Sequence, residues 1–188
     1  MLSDGRFTAS TGGTLAVMPT LVRDPQPSEF EALLKRRRRL GQDLFDEVWE
    51  GVLHMNPAPS GRHGDLESQL HVLLSPLAKR GGLRMRGQFN LGQDSDYRVP
   101  DGGLQHDASD LVYYPTAALV IEIVSPGDES WEKLPFYAAH GVQELLIVDP
   151  EQRTASWLAL ETGNYQHVKR SRLIDLGADE LAQQIDWP

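Results

Sequence analysis

A glutamate stands inside an apolar run, Leu119-Val120-Ile121-Glu122-Ile123-Val124, followed by Ser125-Pro126. The run is rich in β-branched residues, the composition of a strand covered on both faces. A strand of that kind belongs at the centre of a sheet with other layers packed on it. It has no easy place for an ion, because an unpartnered buried carboxylate is strongly destabilising or takes up a proton. Glu122 therefore calls for a metal ion or a lysine beside it. A second acid lies upstream in Arg98-Val99-Pro100-Asp101-Gly102, and Lys133 lies downstream.

Two carboxylates and a lysine on neighbouring elements suit metal-assisted hydrolysis of a phosphodiester. That reaction needs the charge at phosphorus neutralised and a water made nucleophilic, and a divalent metal does both. Magnesium prefers oxygen ligands and keeps several waters, so one or two carboxylates suffice. Asp101 and Glu122 supply them if strands 98–104 and 117–124 are adjacent, and Lys133 is the candidate for stabilising developing negative charge. Each residue also has a plainer reading. Pro-Asp-Gly is an ordinary turn tripeptide. Glu122 could pair with Arg86 or Arg98, and Lys133 could be a solvated lysine or pair with Glu129. His106, Asp107 and Asp110 read as loop residues, and Trp131 and Tyr137 as packing residues.

Local signals place these residues on elements. Residues 1–27 read as a loose arm ending in Asp24-Pro25-Gln26-Pro27, and residues 28–188 as the domain. Ser28 caps a helix through about Leu40, with Glu29 and Glu31 in its first turn, an apolar stripe of Phe30, Leu33 and Leu34, and Gly41 as its stop. That helix carries the basic run Lys35-Arg36-Arg37-Arg38-Arg39. A solvated face is the favoured reading of the run, and phosphate contact is the alternative. Residues 45–55 predict short strands around a Gly turn. After the loop Asn56–Ser60, a helix capped by Ser60 carries Leu66, Leu70, Leu73, Leu74 and Leu77 on one face. Pro76 should kink or shorten its last turn, and Gly81-Gly82 close it. His63, Glu67 and His71 flank that stripe. Ordinary polar flanks are the favoured reading; metal ligation is conceivable at their i, i+4, i+8 spacing, and Glu67 reaching toward the acids is the better functional reading.

Strands are expected near 84–91, 98–104 and 117–124, the last one central. Pro135 either sets the start of a short helix, with Lys133 just ahead of it, or kinks that helix. Residues 144–149 form another buried strand, so 117–149 should be a right-handed strand–helix–strand crossover. Residues 153–160 and 165–169 predict a hairpin, and 173–176 a last short strand. The fold class is α/β (α+β), a mixed central sheet flanked by helices with additional antiparallel strands.

At 188 residues the chain fits one domain with a short appendage. No apolar stretch approaches the roughly 20 residues that span a bilayer. The first 20 residues lack a basic start followed by a long apolar run, so no signal peptide is expected and the cytoplasm is the default compartment. The absence of cysteine excludes disulfides, thiolate zinc sites and cysteine nucleophiles. A net charge of −9 weighs against a partner held mainly through phosphate contacts, although local fields can outvote it.

Several segments together resemble a known family. They are Val99-Pro100-Asp101, Leu119 through Pro126, Lys133-Leu134-Pro135-Phe136-Tyr137, Gly141-Val142-Gln143-Glu144 and Ile147-Val148-Asp149-Pro150. With Trp49-Glu50-Gly51, Met55 through Ser60 and His63, they resemble the Uma-two family of restriction-endonuclease-like proteins in the PD-(D/E)XK nuclease superfamily. The resemblance covers roughly residues 28–175. It implies a four-stranded mixed core sheet flanked by helices, a Mg2+ site (with Mn2+ as a substitute) and DNA as substrate. It carries over Asp101 and Glu122 as metal ligands and adds the Ile123 backbone carbonyl. The superfamily's usual lysine position holds Val124, and the family's displaced lysine corresponds to Lys133. Asp128 or Glu129 fills the place of an acid ahead of that lysine, and Glu47 that of an outer ligand.

Three functions from different classes follow: a Mg2+-dependent DNA endonuclease, a nucleic-acid-binding or regulatory protein of the same fold without turnover, and a metal-dependent hydrolase of a smaller phosphoester. The two acids and the lysine favour the first. Val124 and the net charge favour the second, and an acidic surface suits the third. A homodimer would suit a duplex-cutting enzyme.

Overall fold

The computed structural model describes residues 20–22, 28–125, 127 and 129–188. The chain runs β1 (Thr20–Val22), α1 (Ser28–Leu40), β2 (Glu47–Trp49), β3 (Val52–Met55), α2 (Gly61–Arg80), β4 (Arg84–Arg86), β5 (Asn90–Gln93) and β6 (Asp96–Arg98). It continues through β7 (Gly102–Gln105), β8 (Tyr113–Tyr114), β9 (Leu119–Ile123), α3 (Leu134–Ala139), β10 (Glu144–Asp149), β11 (Thr154–Glu161), β12 (Asn164–Val168) and α4 (Ala178–Ala182). The strands make two six-stranded sheets, ordered β1-β3-β2-β6-β5-β8 and β12-β11-β10-β9-β7-β4.

The second sheet holds the main core. β9 is buried at every position and β10 at all but its last. They pair in parallel, and β7 and β4 follow antiparallel on the other side of β9, which gives the expected four-stranded mixed core. β11 and β12 extend it. Alternation along β9 sends Leu119, Ile121 and Ile123 to one face, where they meet Leu66, Leu70, Leu74 and Ala78 of α2. Val120 faces the other way, into a cluster with Tyr137, Leu145 and Ile147, and Glu122 shares that face. Each buried leucine of the α2 stripe contributes about 1.5–3 kcal/mol.

Several local signals appear as read. Ser60 Oγ accepts the His63 N–H (3.3 Å) and starts α2. Glu50 and Gly51 both have positive φ (49° and 81°), as do Thr162 and Gly163 (49° and 85°). Those pairs form the tight turns of hairpins β2–β3 and β11–β12, where glycine at the second position takes the positive φ without strain. Pro135 sits in the first turn of α3.

Other expectations are corrected. Of the kink or shortening expected at Pro76, the shortening does not occur, since α2 runs on past it to Arg80. Pro76 lacks an N–H, so the Val72 carbonyl loses its helical partner, but Val72 is 74% exposed and water can serve it. Residues 84–91 and 98–104 are not single strands. β4 and β7 belong to one sheet, β5 and β6 to the other. The break in 98–104 falls at Pro100, which cannot donate to a ladder. Residues 173–176 form no strand, and 172–174 make a turn. Ser171 Oγ accepts the N–H groups of Leu173 and Ile174 (3.2 Å each), and α4 follows. Ile174 and Leu176 are apolar because they are core residues. Within the expected N-terminal arm, Thr20–Val22 pairs antiparallel with β3. The arm's remaining residues, with Pro126 and Asp128, lie outside the described residues. Among the described residues no helix is long and apolar enough to cross a membrane.

Candidate active site

Asp101 occupies the short passage between the two sheets. The chain leaves β6, turns at Val99-Pro100 and enters β7 at Gly102. The last β7–β9 pair is Gly102 with Ile121. Beyond it the Asp101 side chain takes the next rung, its Oδ2 accepting the Ile123 N–H at 2.7 Å. A strand residue's N–H and C=O leave by the same edge, so the Ile123 carbonyl turns to the Asp101 side as well. The other oxygen of Asp101 accepts Nε2–H of His63 at 2.8 Å, and His63 Nδ1 lies 3.2 Å from Ser125 Oγ. His63 and Glu67 lie one turn apart on α2, and Glu67 borders a small cavity with Asp101 and His71.

Glu122 meets a different set of groups. Lys133, just ahead of α3, places Nζ 3.3 Å from Glu122 Oε1 and 3.0 Å from Oε1 of Glu47 on β2. The Tyr137 hydroxyl donates to Glu122 Oε1. Glu47 also accepts the Val99 N–H at 2.7 Å and the Trp49 Nε1–H at 2.7 Å. Glu47 and Glu122 are 1% and 2% exposed. Around them, Arg98 lies between the rings of Trp49 and Phe136, 4.3 and 4.0 Å from their centroids.

Two buried carboxylates, Glu47 and Glu122, share one buried ammonium, and Asp101, paired with His63, acts on them from nearby. Burial pushes the Glu122 carboxyl well above the usual carboxylate range; Lys133 pulls it back, while Asp101 and Glu47 push it further. Burial opposes the charge on Lys133, but Glu122 and Glu47 outweigh it and hold the ammonium charged above its ordinary value. Burial likewise opposes a charged His63, and the Asp101 hydrogen bond and the nearby acids overcome it, so its pKa is raised. Glu67 is raised by burial and by Asp101.

A profile described as "Putative restriction endonuclease", that of the Uma2 family, matches residues 27–183. The chain belongs to the Uma2 family. A solved structure similar to it is described as a putative nuclease belonging to DUF820 from Anabaena variabilis ATCC 29413. The TM-score is 0.61 at 17% identity, over 74% of this chain and 90% of that one, a likeness of fold. The DrdV–DNA complex matches with a TM-score of 0.33 and 19% identity, over 57% of this chain and 12% of that one, too slight to carry an argument. No curated protein matches the chain.

The structure sets Asp101 against the Ile123 N–H and Lys133 against Glu122, so the four residues singled out in sequence lie around the end of β9 in two linked contacts. It adds His63, which touches Asp101, and Tyr137, a buried packing residue whose hydroxyl also reaches Glu122. The signal for Tyr137 was its spacing, one helical turn after Lys133, which puts both side chains on one face. Glu122 pairs with neither Arg86 nor Arg98. Arg86 stacks over Tyr114 and donates to the Ser109 carbonyl. Glu129 pairs with His54 at 3.0 Å instead of joining Lys133, and Trp131 is half-exposed. His106 meets Gln143, and Asp107 accepts from Ser109, both away from the acids.

Among the described residues no three His, Asp or Glu side chains converge as an all-protein metal cage requires. Two carboxylates and a carbonyl fit a divalent cation that keeps much of its water, as Mg2+ does. Burial, with Asp101 and Glu47 nearby, holds the Glu122 carboxyl up, and a cation bound beside it would favour its ionised form.

Proposed function

We propose that this Uma2 chain is a Mg2+-dependent DNA endonuclease, with Asp101, Glu122 and the Ile123 carbonyl as the residues that would hold the metal. The observation that carries the reading is that Asp101 accepts the N–H of Ile123, the residue next to Glu122 at the end of β9, while Glu122 shares the single buried Lys133 with Glu47. Bound there, a divalent cation neutralises phosphate charge and makes a water nucleophilic at neutral pH. Lys133 supplies a fixed positive charge for the negative charge that develops at phosphorus, held in place between Glu122 and Glu47. It thus stands in for the lysine absent at Val124. His63 orients the Asp101 carboxylate from the α2 side. Mn2+ should substitute for Mg2+, and a homodimer would let two such sites act on the two strands of a duplex.

The test is cleavage of supercoiled, linear and single-stranded DNA with Mg2+ or Mn2+, comparing wild type with Asp101→Ala and Glu122→Ala. Wild-type cleavage should fall by at least about a hundredfold in either variant, the scale of losing one preorganised electrostatic group. Cleavage that persists in both, or none by the wild type, rejects the nuclease reading. Turnover of a small phosphodiester without DNA affinity would favour the third function, for which the net charge of −9 argues. DNA affinity without turnover would favour the second.

A further inference from the structure

The helix α1 has no buried residue. At about 100° per residue its body-facing stripe is Phe30, Leu33, Leu34 and Arg37. Phe30, Leu34 and Arg37 are half-buried, and Lys35, Arg36, Arg38 and Arg39 are exposed. Lys35 and Arg39 project opposite Arg37, with Arg36 and Arg38 on the flanks.

Arg37 is the anchor. Its guanidinium meets both oxygens of buried Asp46, at 2.6 and 3.3 Å, and also donates to the Gln42 carbonyl at 2.6 Å. Asp46 directly precedes Glu47, which holds Lys133. The Arg37–Asp46 ion pair and the Asp46–Glu47 peptide therefore link the end of α1 to the candidate active site.

Helix stability does not account for the four exposed cations. Charges in the last turn complement the helix dipole, but Lys35 and Arg36 precede that turn. Lys35–Arg38, Lys35–Arg39 and Arg36–Arg39 are like-charged neighbours one turn apart, each destabilising by a few tenths of a kcal/mol. Glu31 lies one turn before Lys35, while Arg36, Arg38 and Arg39 have no acid one turn away within the helix. Among the described residues, none of the four forms an ion pair. They form a concentrated positive surface on a chain whose net charge is −9.

We infer that α1 is a phosphate-contacting arm on which Lys35, Arg36, Arg38 and Arg39 hold the backbone of a DNA duplex beside the site of Asp101, Glu122 and Lys133. This rests on the DNA part of the proposed function and adds the surface that binds it. The contacts are between charges, so they are independent of base sequence and weaken with salt.

The experiment is duplex binding by fluorescence anisotropy over a range of NaCl, with EDTA and again with Ca2+. It compares wild type with a fourfold variant, Lys35→Gln, Arg36→Gln, Arg38→Gln and Arg39→Gln, and a threefold one, Arg36→Lys, Arg38→Lys and Arg39→Lys. Arg37 stays in both, and circular dichroism checks the helix. Release of counterions from four phosphates predicts that the Gln variant loses about 3 to 4 units of log–log salt slope. The Lys variant should keep the wild-type slope. An unchanged slope in the Gln variant overturns the inference even if cleavage is intact. So does a Lys variant as weak as the Gln one, because charge would then not be the determinant. A wild type that binds no duplex, or binds phosphatidylserine vesicles instead, removes the arm as a DNA contact. The expected slope change without any cleavage leaves the arm standing and rejects the nuclease alone.

Discussion

Glu47 and Glu122 are both buried glutamates, one on each sheet, and they use their oxygens differently. Glu47 accepts from a backbone N–H, an indole N–H and the Lys133 ammonium. Glu122 meets the Tyr137 hydroxyl and the same ammonium. An ionised carboxylate offers about four lone-pair sites. Glu47 is thus close to saturated by the protein and behaves as a clamp, fixing the passage at Val99 and the position of Lys133. Glu122 keeps accepting capacity. The comparison teaches that burial alone does not identify a ligand; a buried acid with unfilled accepting capacity is the better candidate.

The hardest way to break this comparison is to remove the cation both acids share. Lys133→Met should lower unfolding free energy by about 3–5 kcal/mol, because it leaves carboxylates buried without their partner. Urea titration measures this, and a loss below about 1 kcal/mol would mean the ammonium is not what makes the two acids tolerable. Glu47→Gln should cost about 1–3 kcal/mol, since an amide nitrogen replaces an oxygen facing donors. It should slow cleavage while leaving Mg2+ affinity unchanged. A fall in Mg2+ affinity measured by calorimetry would make Glu47 a ligand and erase the distinction. Tyr137→Phe is the mildest change, removing one hydrogen bond from Glu122 for a loss of about 1 kcal/mol. Equal thermal stability of variant and wild type would leave Lys133 as the only support that matters.

Much of the fold was legible because its signals are local. The Ser60 cap, the glycines at 51 and 163, the proline at 135 and the alternation of β9 each act within a few residues. The failures came where a local pattern has two tertiary outcomes. Ile174 and Leu176 are apolar because they reach the core, and a turn serves that as well as a strand does. Residues 84–91 have strand composition, but composition does not say to which sheet a strand belongs. The split of 98–104 left a legible trace in Pro100.

The candidate site divides in the same way. The sequence by itself determined that an acid lies inside a central strand, that a second acid follows a Val-Pro step, and that a lysine precedes a proline-started helix. It also set a surplus of acid that one lysine cannot neutralise. Only the tertiary structure decided that Glu47, from the other sheet, shares Lys133, that Tyr137 turns its hydroxyl to Glu122, and that His63 reaches Asp101 from α2. The physical reason is range. Caps, turns and periodicity are set by neighbours along the chain, whereas a buried charge is stabilised by whatever the folded chain brings within about 4 Å.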